Sequence, residues 1–288
     1  MACKCLRCSK LVSFDGCATI PDVRSCAAAL TLLLLLPNTL LAQDAVGEAR
    51  RLYNAGDFDA AERMARTAIE QPAQANSARV VLGRIQLEKF RKAPSQTFLA
   101  DARQALREVD PLALDPRERL ELTLGFAETL FLEDRFLAAA EMFAPVIEAS
   151  VTLGPAAHAR VLDWWATAVD RHAQTRPNPE RPAIYAAITE RMNTELTRDP
   201  GSAPAGYWIV AAARGSGDLD RAWSAAAAAW VRAALAADRG VILRGDLDRL
   251  VVHALIPERA ARLNPKDSSL ALTGLLSEWE AFKAGWTR

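Results

Sequence analysis

Cysteine is missing from most of this chain. All five cysteines lie at or before Cys26, so a protein that begins near residue 43 can form no disulfide and has no thiol nucleophile. The close spacing of Cys3, Cys5 and Cys8 would suit a small zinc or iron–sulfur motif, but no matching Cys and His set follows. We therefore interpret these cysteines as leader sequence and predict no metal and no cofactor.

Histidine is also scarce, with only His158, His172 and His253 in the whole chain. His158 and His172 fall in one helical run, about 21 Å apart by helical rise, too far to share a metal ion. There is no Gly-x-Ser-x-Gly motif, and the glycine-rich stretch 214–218 lacks the Gly-Lys-Ser/Thr of a phosphate-binding loop. The sequence therefore predicts no catalytic residue and no enzymatic activity.

Excess charge of either sign is absent as well. Lys and Arg total 35 and Asp and Glu total 35, and no dense basic cluster appears. Because neutralisation of phosphates supplies most of the affinity for nucleic acids, we predict no nucleic-acid partner. A hydrophobic fraction of 51% indicates a packed globular protein.

The N-terminal 42 residues have the pattern of a secretory signal peptide. Residues 26–42 read CAAALTLLLLLPNTLLA without a charge, Arg24 precedes them, and Gln43-Asp44 follow. We predict cleavage near Ala42 and a secreted or periplasmic protein. The stretch before Arg24 is long for a signal peptide, so translation could also start downstream of Met1. An uncleaved N-terminal segment is the alternative, and it would be the protein's one contact with a membrane.

Beyond residue 43 the apolar residues recur with helical periodicity, and no run alternates as a strand would. The predicted fold class is therefore all-α. Short breakers rich in Gly, Pro and Asp divide the pattern into paired runs. The pairs are 44–54 with 57–70, 77–92 with 98–109, 117–132 with 135–149, 155–172 with 181–197, and 204–214 with 218–237.

One stretch of sequence returns along the chain. GDFDAAERMARTAI (56–69) is echoed by EDRFLAAAEMFAPVI (133–147), SGDLDRAWSAAAAAW (216–230) and RGDLDRLVVHAL (244–255). Asp57 and Asp218 are placed to cap the second helix of a pair. The apolar residue that follows should pack back on the first helix, and an alanine three residues later lets two helices approach closely. These alanines are Ala61, Ala139 and Ala222.

The GDFDAA turn, the alanines at 61, 65 and 68, the closing Pro72 and the pair Leu82-Gly83 resemble a tetratricopeptide repeat. The period here, about 40 residues, is longer than usual. The resemblance implies a right-handed α-solenoid of about five antiparallel helix pairs over residues 43–240. It also implies a concave groove, lined by the first helix of each pair, that binds a protein or peptide.

Residues 241–288 depart from the repeat, and we predict that they form C-terminal capping helices. Pro257 should begin a short helix that ends near Leu263. Residues 268–285 form an amphipathic pattern that would close the open end of the stack. Its apolar stripe consists of Leu272, Leu275, Leu276, Trp279 and Phe282.

Two pairs of adjacent aromatic residues, Trp164-Trp165 and Tyr207-Trp208, could help to locate a binding site. Neighbours on a helix point about 100° apart, so one member of each pair should lie nearer the surface. This pattern fits either an aromatic-lined binding site or local repacking of the core.

The leading functional hypothesis is an exported, non-enzymatic scaffold. Two alternatives remain open: a hydrolase or lyase acting on cell-envelope polymers, and a structural subunit of an envelope assembly. By resemblance, the residues that face the groove and bind the partner would be Arg50, Tyr53, Arg84, Glu128, Phe131, Trp165 and Tyr207.

Overall fold

The computed structural model describes residues 45–286, and every regular element in that range is a helix. The predicted signal peptide and the cysteines lie outside the described residues. The α-helices are α1 Ala45–Asn54, α2 Phe58–Ile69, α3 Ala75–Lys92, α4 Gln96–Arg107, α5 Pro116–Leu132, α6 Phe136–Phe143, α7 Ile147–Ser150, α8 Pro155–Gln174, α9 Arg181–Arg198, α10 Ala203–Gly215, α11 Leu219–Arg232, α12 Val241–Leu250, α13 Ile256–Leu263 and α14 Ser269–Trp286.

The all-α prediction is confirmed for this range, and the helix limits follow the predicted runs closely. The largest difference is in the predicted helix 135–149. It is interrupted by a 3₁₀ turn, Ala144–Val146, so that α6 ends early and α7 is short. Pro145 explains the break, because proline has no N–H for the helix ladder and its ring clashes with the preceding turn.

Consecutive helices pack against each other, most extensively α3 with α4, α9 with α10, α1 with α2, α10 with α11, and α5 with α6. Alternate helices are also in contact: α1 with α3, α3 with α5, α5 with α8, α8 with α10, and α10 with α12. A helix such as α3 therefore contacts the helices next to it in sequence and also α1 and α5.

Three of the repeated stretches form the same tight turn. Gly56, Asp134 and Gly217 have φ angles of 79°, 58° and 85°, a left-handed conformation that ends the first helix of each pair. The N–H of the next residue then reaches back to a carbonyl near the end of that helix. These bonds are Asp57 N to Leu52 O (3.0 Å), Arg135 N to Leu130 O (2.9 Å) and Asp218 N to Ala213 O (3.0 Å).

The predicted caps and packing residues are confirmed. Asp57 accepts a hydrogen bond from the N–H of Ala60 at 3.1 Å, and Asp218 accepts one from the N–H of Arg221 at 3.0 Å. The apolar residue after the turn packs back on the first helix, as the rings of Phe58 and Tyr53 do with centroids 5.7 Å apart. The three alanines of the echo are fully buried.

Glycine residues on α3 and α5 permit a second close contact between helices, here with α4. Leu106 of α4 is fully buried between α3 and α5. A Cβ added at Gly83 would come within 2.6 Å of its side chain, and one added at Gly125 within 3.1 Å. Gly83, noted in the sequence as part of a Leu-Gly pair, is thus required by packing.

The fourth echo, at 244–255, does not form the turn, and it lies in the segment that was predicted to depart from the repeat. Gly245 lies inside α12, which begins at Val241. The helix starts earlier because Gly240 takes a left-handed conformation (φ 79°) and the Asp238 carboxylate accepts bonds from the N–H groups of Gly240 and Ile242. A π-helical turn, Val251–Leu255, then joins α12 to α13.

The prediction of capping helices in residues 241–288 agrees better with the structure. Pro257 lies in the first turn of α13, where proline is tolerated, and α14 presents an apolar stripe in which Leu275 and Trp279 are buried. Trp279 is 1% exposed and meets the rings of Trp223 and Trp230 with centroids 5.8 Å and 5.5 Å away. These contacts hold α14 against α11.

One stretch of the described residues, Phe136–Leu153, has the length and hydropathy of a membrane span. Length and composition are weak evidence for a span. The stretch is broken at Pro145, and Phe143 and Ile147 within it belong to the hydrophobic core.

Replacing a buried alanine with a larger residue tests whether the alanines allow the helices to pack closely. We expect Ala222→Leu to lower the free energy of unfolding by about 1–3 kcal/mol, because a fully buried methyl leaves no room for three more carbons. Urea denaturation measures the change. Ala228→Leu on the exposed face of the same helix should change it by less than about 0.5 kcal/mol. Equal effects of the two changes would contradict the packing role.

The turn glycine gives a second prediction. An added Cβ at Gly217 would meet no atom within 4 Å, so Gly217→Ala should destabilise through backbone conformation alone, by about 1–2 kcal/mol. Gly274, inside α14 and equally open, is the control. Gly274→Ala should stabilise by about 0.5–1 kcal/mol, because alanine is the better helix former. Thermal or urea unfolding should therefore show opposite signs for the two variants.

Candidate functional site: a charged face on α1, α3, α5 and α8

Four helices present charged and aromatic side chains on faces that meet. The positions follow helical spacing, with Arg84, Glu88 and Arg91 on α3, so each set shares one side of its helix. We call this surface the charged face. It consists of Arg50, Tyr53, Arg84, Glu88, Arg91, Arg117, Glu118, Glu121, Glu128, Arg160 and Trp164.

A cavity of about 460 Å³ opens on the charged face. Its polar lining includes Arg50, Tyr53 and Arg84, and its apolar lining includes Val81 and Leu153. The volume lies in the range that holds small ligands or a few residues of a peptide.

Ion pairs connect most of the charged face across helices. Arg50 on α1 bonds Glu118 at 3.0 Å and Glu121 at 3.3 Å on α5. Arg117 reaches Glu121 along α5 at 3.3 Å, and Arg160 on α8 reaches Glu88 on α3 at 3.2 Å. Because Glu118 and Glu121 are buried, these pairs are screened less than surface pairs would be.

Arg91 continues this network towards α8. Its guanidinium bonds Glu88 at 3.2 Å and lies 3.8 Å from Glu128. The guanidinium carbon also lies 4.9 Å from the ring centre of Trp164, a cation–π distance. Trp164 is half-buried and, with Tyr53, is one of two aromatic members of the charged face.

Arg84 is the exception among the arginines of the charged face. No hydrogen bond or ion pair to its guanidinium is found within residues 45–286, and its Nε atom is buried without an acceptor. Its nearest aromatic neighbour is the Tyr53 ring, 5.2 Å from the guanidinium carbon. Burial acts to lower the pKa of Arg84, but Tyr53 and the carboxylates of Glu121, Glu128 and Glu88 raise it above its usual value, so anions are nearby. None of them accepts a hydrogen bond from the guanidinium, and a buried donor without an acceptor is costly, so this position is one where a ligand could contribute.

Burial also changes the proton affinity of two neighbours. Glu128 is 3% exposed and its Oε1 accepts no hydrogen bond from the described residues, so burial raises the pKa of this carboxyl to about 7. Burial raises the pKa of Tyr53 to about 12, and its hydroxyl donates to Glu88 Oε1 at 3.4 Å. Tyr53 is therefore neutral at physiological pH, whereas Glu128 titrates there.

The structure brings together three of the residues predicted for the groove. Arg50, Tyr53 and Arg84 line the cavity, and Glu128 lies beside it, buried. Phe131 does not line the cavity. It packs against the core with its ring 5.7 Å from that of Phe136.

The prediction that Trp165 faces outward is wrong. Trp165 is 7% exposed and belongs to the hydrophobic core, whereas its neighbour Trp164 lies on the charged face. Tyr207 is half-buried between core residues, and Trp208 beside it is buried with its indole N–H bonded to Asp163 at 2.8 Å. One member of each adjacent pair does lie nearer the surface, as helix geometry requires, but the choice at 164–165 is the reverse of the one predicted.

The sequence did not predict a buried series of hydrogen-bonded side chains on α7, α8 and α9. The Ser150 hydroxyl lies 2.7 Å from His158 Nδ1, and His158 Nε2 lies 3.1 Å from Glu195 Oε2. The three residues are at most 5% exposed, and the Ser150 hydroxyl donates to the carbonyl of Ile147 at 2.6 Å. A serine held in this way, without access for a substrate, ties helices together and does not act as a nucleophile.

Sequence signals could have found part of the charged face. Arg160 and Trp164 are four residues apart, as are Arg84 and Glu88, so a search for charged and aromatic residues at this spacing would include them. The buried Ser–His–Glu chain has no such signal, because its members lie on three helices. No cluster of three or more metal-binding side chains occurs in the part of the chain that the structure describes.

Comparison with protein-family models, with characterised proteins and with solved structures found no match to this chain. The charged face and its cavity are thus the features from which a function is inferred.

The raised pKa of Glu128 gives a prediction of pH-dependent stability. The folded protein keeps this proton up to about pH 7, whereas a glutamate in the unfolded chain loses it near its usual value of 4.5. This contribution to stability is therefore fully present below pH 4.5 and is lost as the pH rises through 7. The upper limit of the effect is about 3 kcal/mol.

We expect Glu128→Gln, which is always neutral, to lie within about 1 kcal/mol of the wild type at pH 5 and to be more stable at pH 8, by about 1–3 kcal/mol more than at pH 5 in urea denaturation. Glu121→Gln is the control, since Glu121 is equally buried on the same helix but is ion-paired to Arg50 and Arg117. Glu121→Gln should lower the stability of the protein at pH 8. A difference between wild type and Glu128→Gln that stays constant from pH 5 to pH 8 would contradict a titrating Glu128.

Proposed function

We propose that this protein is an exported, tetratricopeptide-like scaffold that binds a protein or peptide partner in a concave groove and has no enzymatic activity. The groove would be formed by the first helices of about five antiparallel pairs in a right-handed α-solenoid. Helices α12, α13 and α14 would close its C-terminal end. The signal-like N-terminus would direct the protein to the periplasm or out of the cell.

The helix contacts support this proposal. In a stacked array each helix pair touches only its neighbours, and the first helices of successive pairs lie side by side. The contacts of α1 with α3, α3 with α5, α5 with α8, and α8 with α10 have this pattern. The shared left-handed turn at Gly56, Asp134 and Gly217 gives three of the pairs the same internal geometry.

The observation that carries the proposal is the cavity on the charged face. Arg50, Tyr53 and Arg84 were selected from the sequence as groove residues, and all three line it. An open, mixed polar and apolar surface built from several helices suits an extended partner segment better than a small substrate.

One observation favours an enzyme as the second candidate. A buried carboxyl with a pKa of about 7, such as that of Glu128, has the property of a general acid. Glu128 is only 3% exposed, however, and a substrate could reach it only if the helices moved. The scaffold is therefore the better-supported function.

Affinity capture tests the scaffold. Residues 43–288 are immobilised and exposed to a cell-envelope extract, and the bound proteins are identified by mass spectrometry. We expect Tyr53→Ala to reduce recovery of the partner at least fivefold, because it removes the ring that lines the cavity and lies against Arg84. Circular dichroism should show that the variant remains folded.

Phe131→Ala is the matched control. Phe131 occupies the equivalent position before the turn of the third pair, with its ring the same 5.7 Å from Phe136, but it does not line the cavity. It should cost similar stability and leave partner recovery unchanged. Equal recovery with wild type and Tyr53→Ala would refute binding at this groove.

A further inference from the structure

Three large apolar side chains project into solvent from one short stretch of the chain. Leu235 is 65% exposed, Val241 is 73% exposed and Ile242 is 67% exposed. Leu235 lies in the connection between α11 and α12, and the other two residues begin α12. No other eight-residue stretch of the described chain holds more than two exposed large apolar side chains. We call these three residues the apolar corner.

The backbone holds the apolar corner in one shape. Gly240 has a φ of 79°, and a Cβ added there would lie 2.4 Å from the carbonyl oxygen of Ala233, so the connection closes tightly on the residue that follows α11. The Asp238 carboxylate accepts hydrogen bonds from the N–H groups of Gly240 and Ile242, at 2.8 Å and 2.9 Å. These contacts fix the start of α12, in which Leu243 is buried. Neighbours on a helix point about 100° apart, so the two residues before Leu243 face solvent.

Three arginines accompany the apolar corner. Arg232 ends α11, Arg239 lies in the connection, and Arg244 lies in the first turn of α12. None of them forms an ion pair with another described residue. The Nε atom of Arg232 is buried without an acceptor, and that of Arg244 donates to the carbonyl of Trp230 at 3.4 Å. Their positive charges are therefore not paired with a carboxylate of the described chain.

The acidic groups around the apolar corner are already engaged. Asp238 bonds the two N–H groups described above, and Asp199 accepts a bond from the N–H of Gly201 at 3.0 Å. Asp199 is close because a Cβ added at Gly201 would lie 2.6 Å from a carbonyl oxygen of the apolar corner. Asp246 on α12 pairs with Arg249. These three aspartates and the four arginines leave one surplus positive charge.

The size of the apolar corner indicates what covers it. A stable protein–protein interface buries about 800 Å² on each partner, whereas three side chains on a turn expose roughly a few hundred Å². That area is too small to hold a second copy of the chain or another folded protein by itself. The interface of a bilayer is deformable and surrounds isolated apolar side chains, and its phosphate groups accept hydrogen bonds from arginine. Anionic lipids also match the surplus positive charge.

We propose that the apolar corner docks on a membrane that contains anionic lipids. Val241 and Ile242 enter the bilayer interface, and the three unpaired arginines bind the phosphates of the headgroups. This contact goes beyond the proposed partner-binding function and does not depend on it, because the charged face lies on α1, α3, α5 and α8. It is also separate from the apolar run at 26–42, which belongs to the predicted signal peptide.

The test uses residues 43–288, because Ala45–Arg288 is one compact unit and the apolar run at 26–42 would itself bind lipid. The protein is sedimented with vesicles of phosphatidylcholine alone and with mixed vesicles of equal parts phosphatidylcholine and phosphatidylglycerol. We expect at least tenfold tighter binding to the mixed vesicles, because arginines near an anionic surface are attracted to it. This binding should weaken as salt is added, since salt screens exposed charges.

Val241→Ser combined with Ile242→Ser should weaken binding to the mixed vesicles at least tenfold, because both apolar side chains are lost from the bilayer interface. Leu112→Ser combined with Leu270→Ser is the matched control, since these side chains are 91% and 82% exposed but lie outside the apolar corner. The control should bind as the wild type does. Circular dichroism should show that both double variants remain folded, because every side chain that is removed is exposed.

Arg239→Gln tests the contribution of charge. It should weaken binding to the mixed vesicles about fivefold, which is the factor that one arginine contributes near an anionic surface. Binding to phosphatidylcholine alone should not change. Arg107→Gln is the control, since Arg107 is exposed on α4 and forms no ion pair within residues 45–286. Its loss should leave binding to both kinds of vesicle unchanged.

The outcomes separate this proposal from its alternatives. Equal binding of the wild type and the Val241→Ser, Ile242→Ser variant would refute the docking surface, and so would failure of the wild type to bind either kind of vesicle. Analytical ultracentrifugation without lipid tests self-association. A dimer that this double variant abolishes would show that a second copy covers the apolar corner, and the membrane assignment would be wrong. None of these results alters the capture experiment with Tyr53→Ala, so this proposal and the proposed function can fail independently.

Discussion

Close approach of helices through side chains no larger than a methyl is the constraint on which the described fold depends. Ala61, Ala139 and Ala222 are fully buried, and Leu106 fits between Gly83 and Gly125 with almost no free space. No cysteine lies beyond residue 26, so no disulfide can join these helices. Their cohesion must come from burial of apolar surface at these contacts, which falls off steeply when the helices separate.

The same closeness creates the charged face. When α1, α3, α5 and α8 lie side by side, the long side chains on their common side are crowded together and partly withdrawn from water. Most of the arginines respond by pairing with glutamates of another helix. Burial keeps a proton on Glu128 up to about pH 7, and the Nε of Arg84 remains without a hydrogen-bond acceptor. The electrostatic features of the site are therefore consequences of helix packing.

Local features of the fold could be predicted well because their causes are local. The caps of Asp57 and Asp218 depend on a few neighbouring residues, and they were correctly placed. At Gly245 one local signal overrode another: this glycine repeats the turn motif but lies inside α12, because Asp238 and Gly240 start that helix a few residues earlier. The site was predicted only in part, since the rotation of each helix about its axis decides which residue reaches the surface.

The sequence by itself determined the helical class, the positions of the turns and the small residues at the helix contacts, because hydrophobic periodicity, glycine and proline act over one or two turns of chain. Only the tertiary structure decided that Trp164 and not Trp165 lies on the charged face, and that no carboxylate forms an ion pair with Arg84. It alone joined Ser150, His158 and Glu195. Such choices depend on the distances between residues of different helices, which the spacing along one chain does not specify.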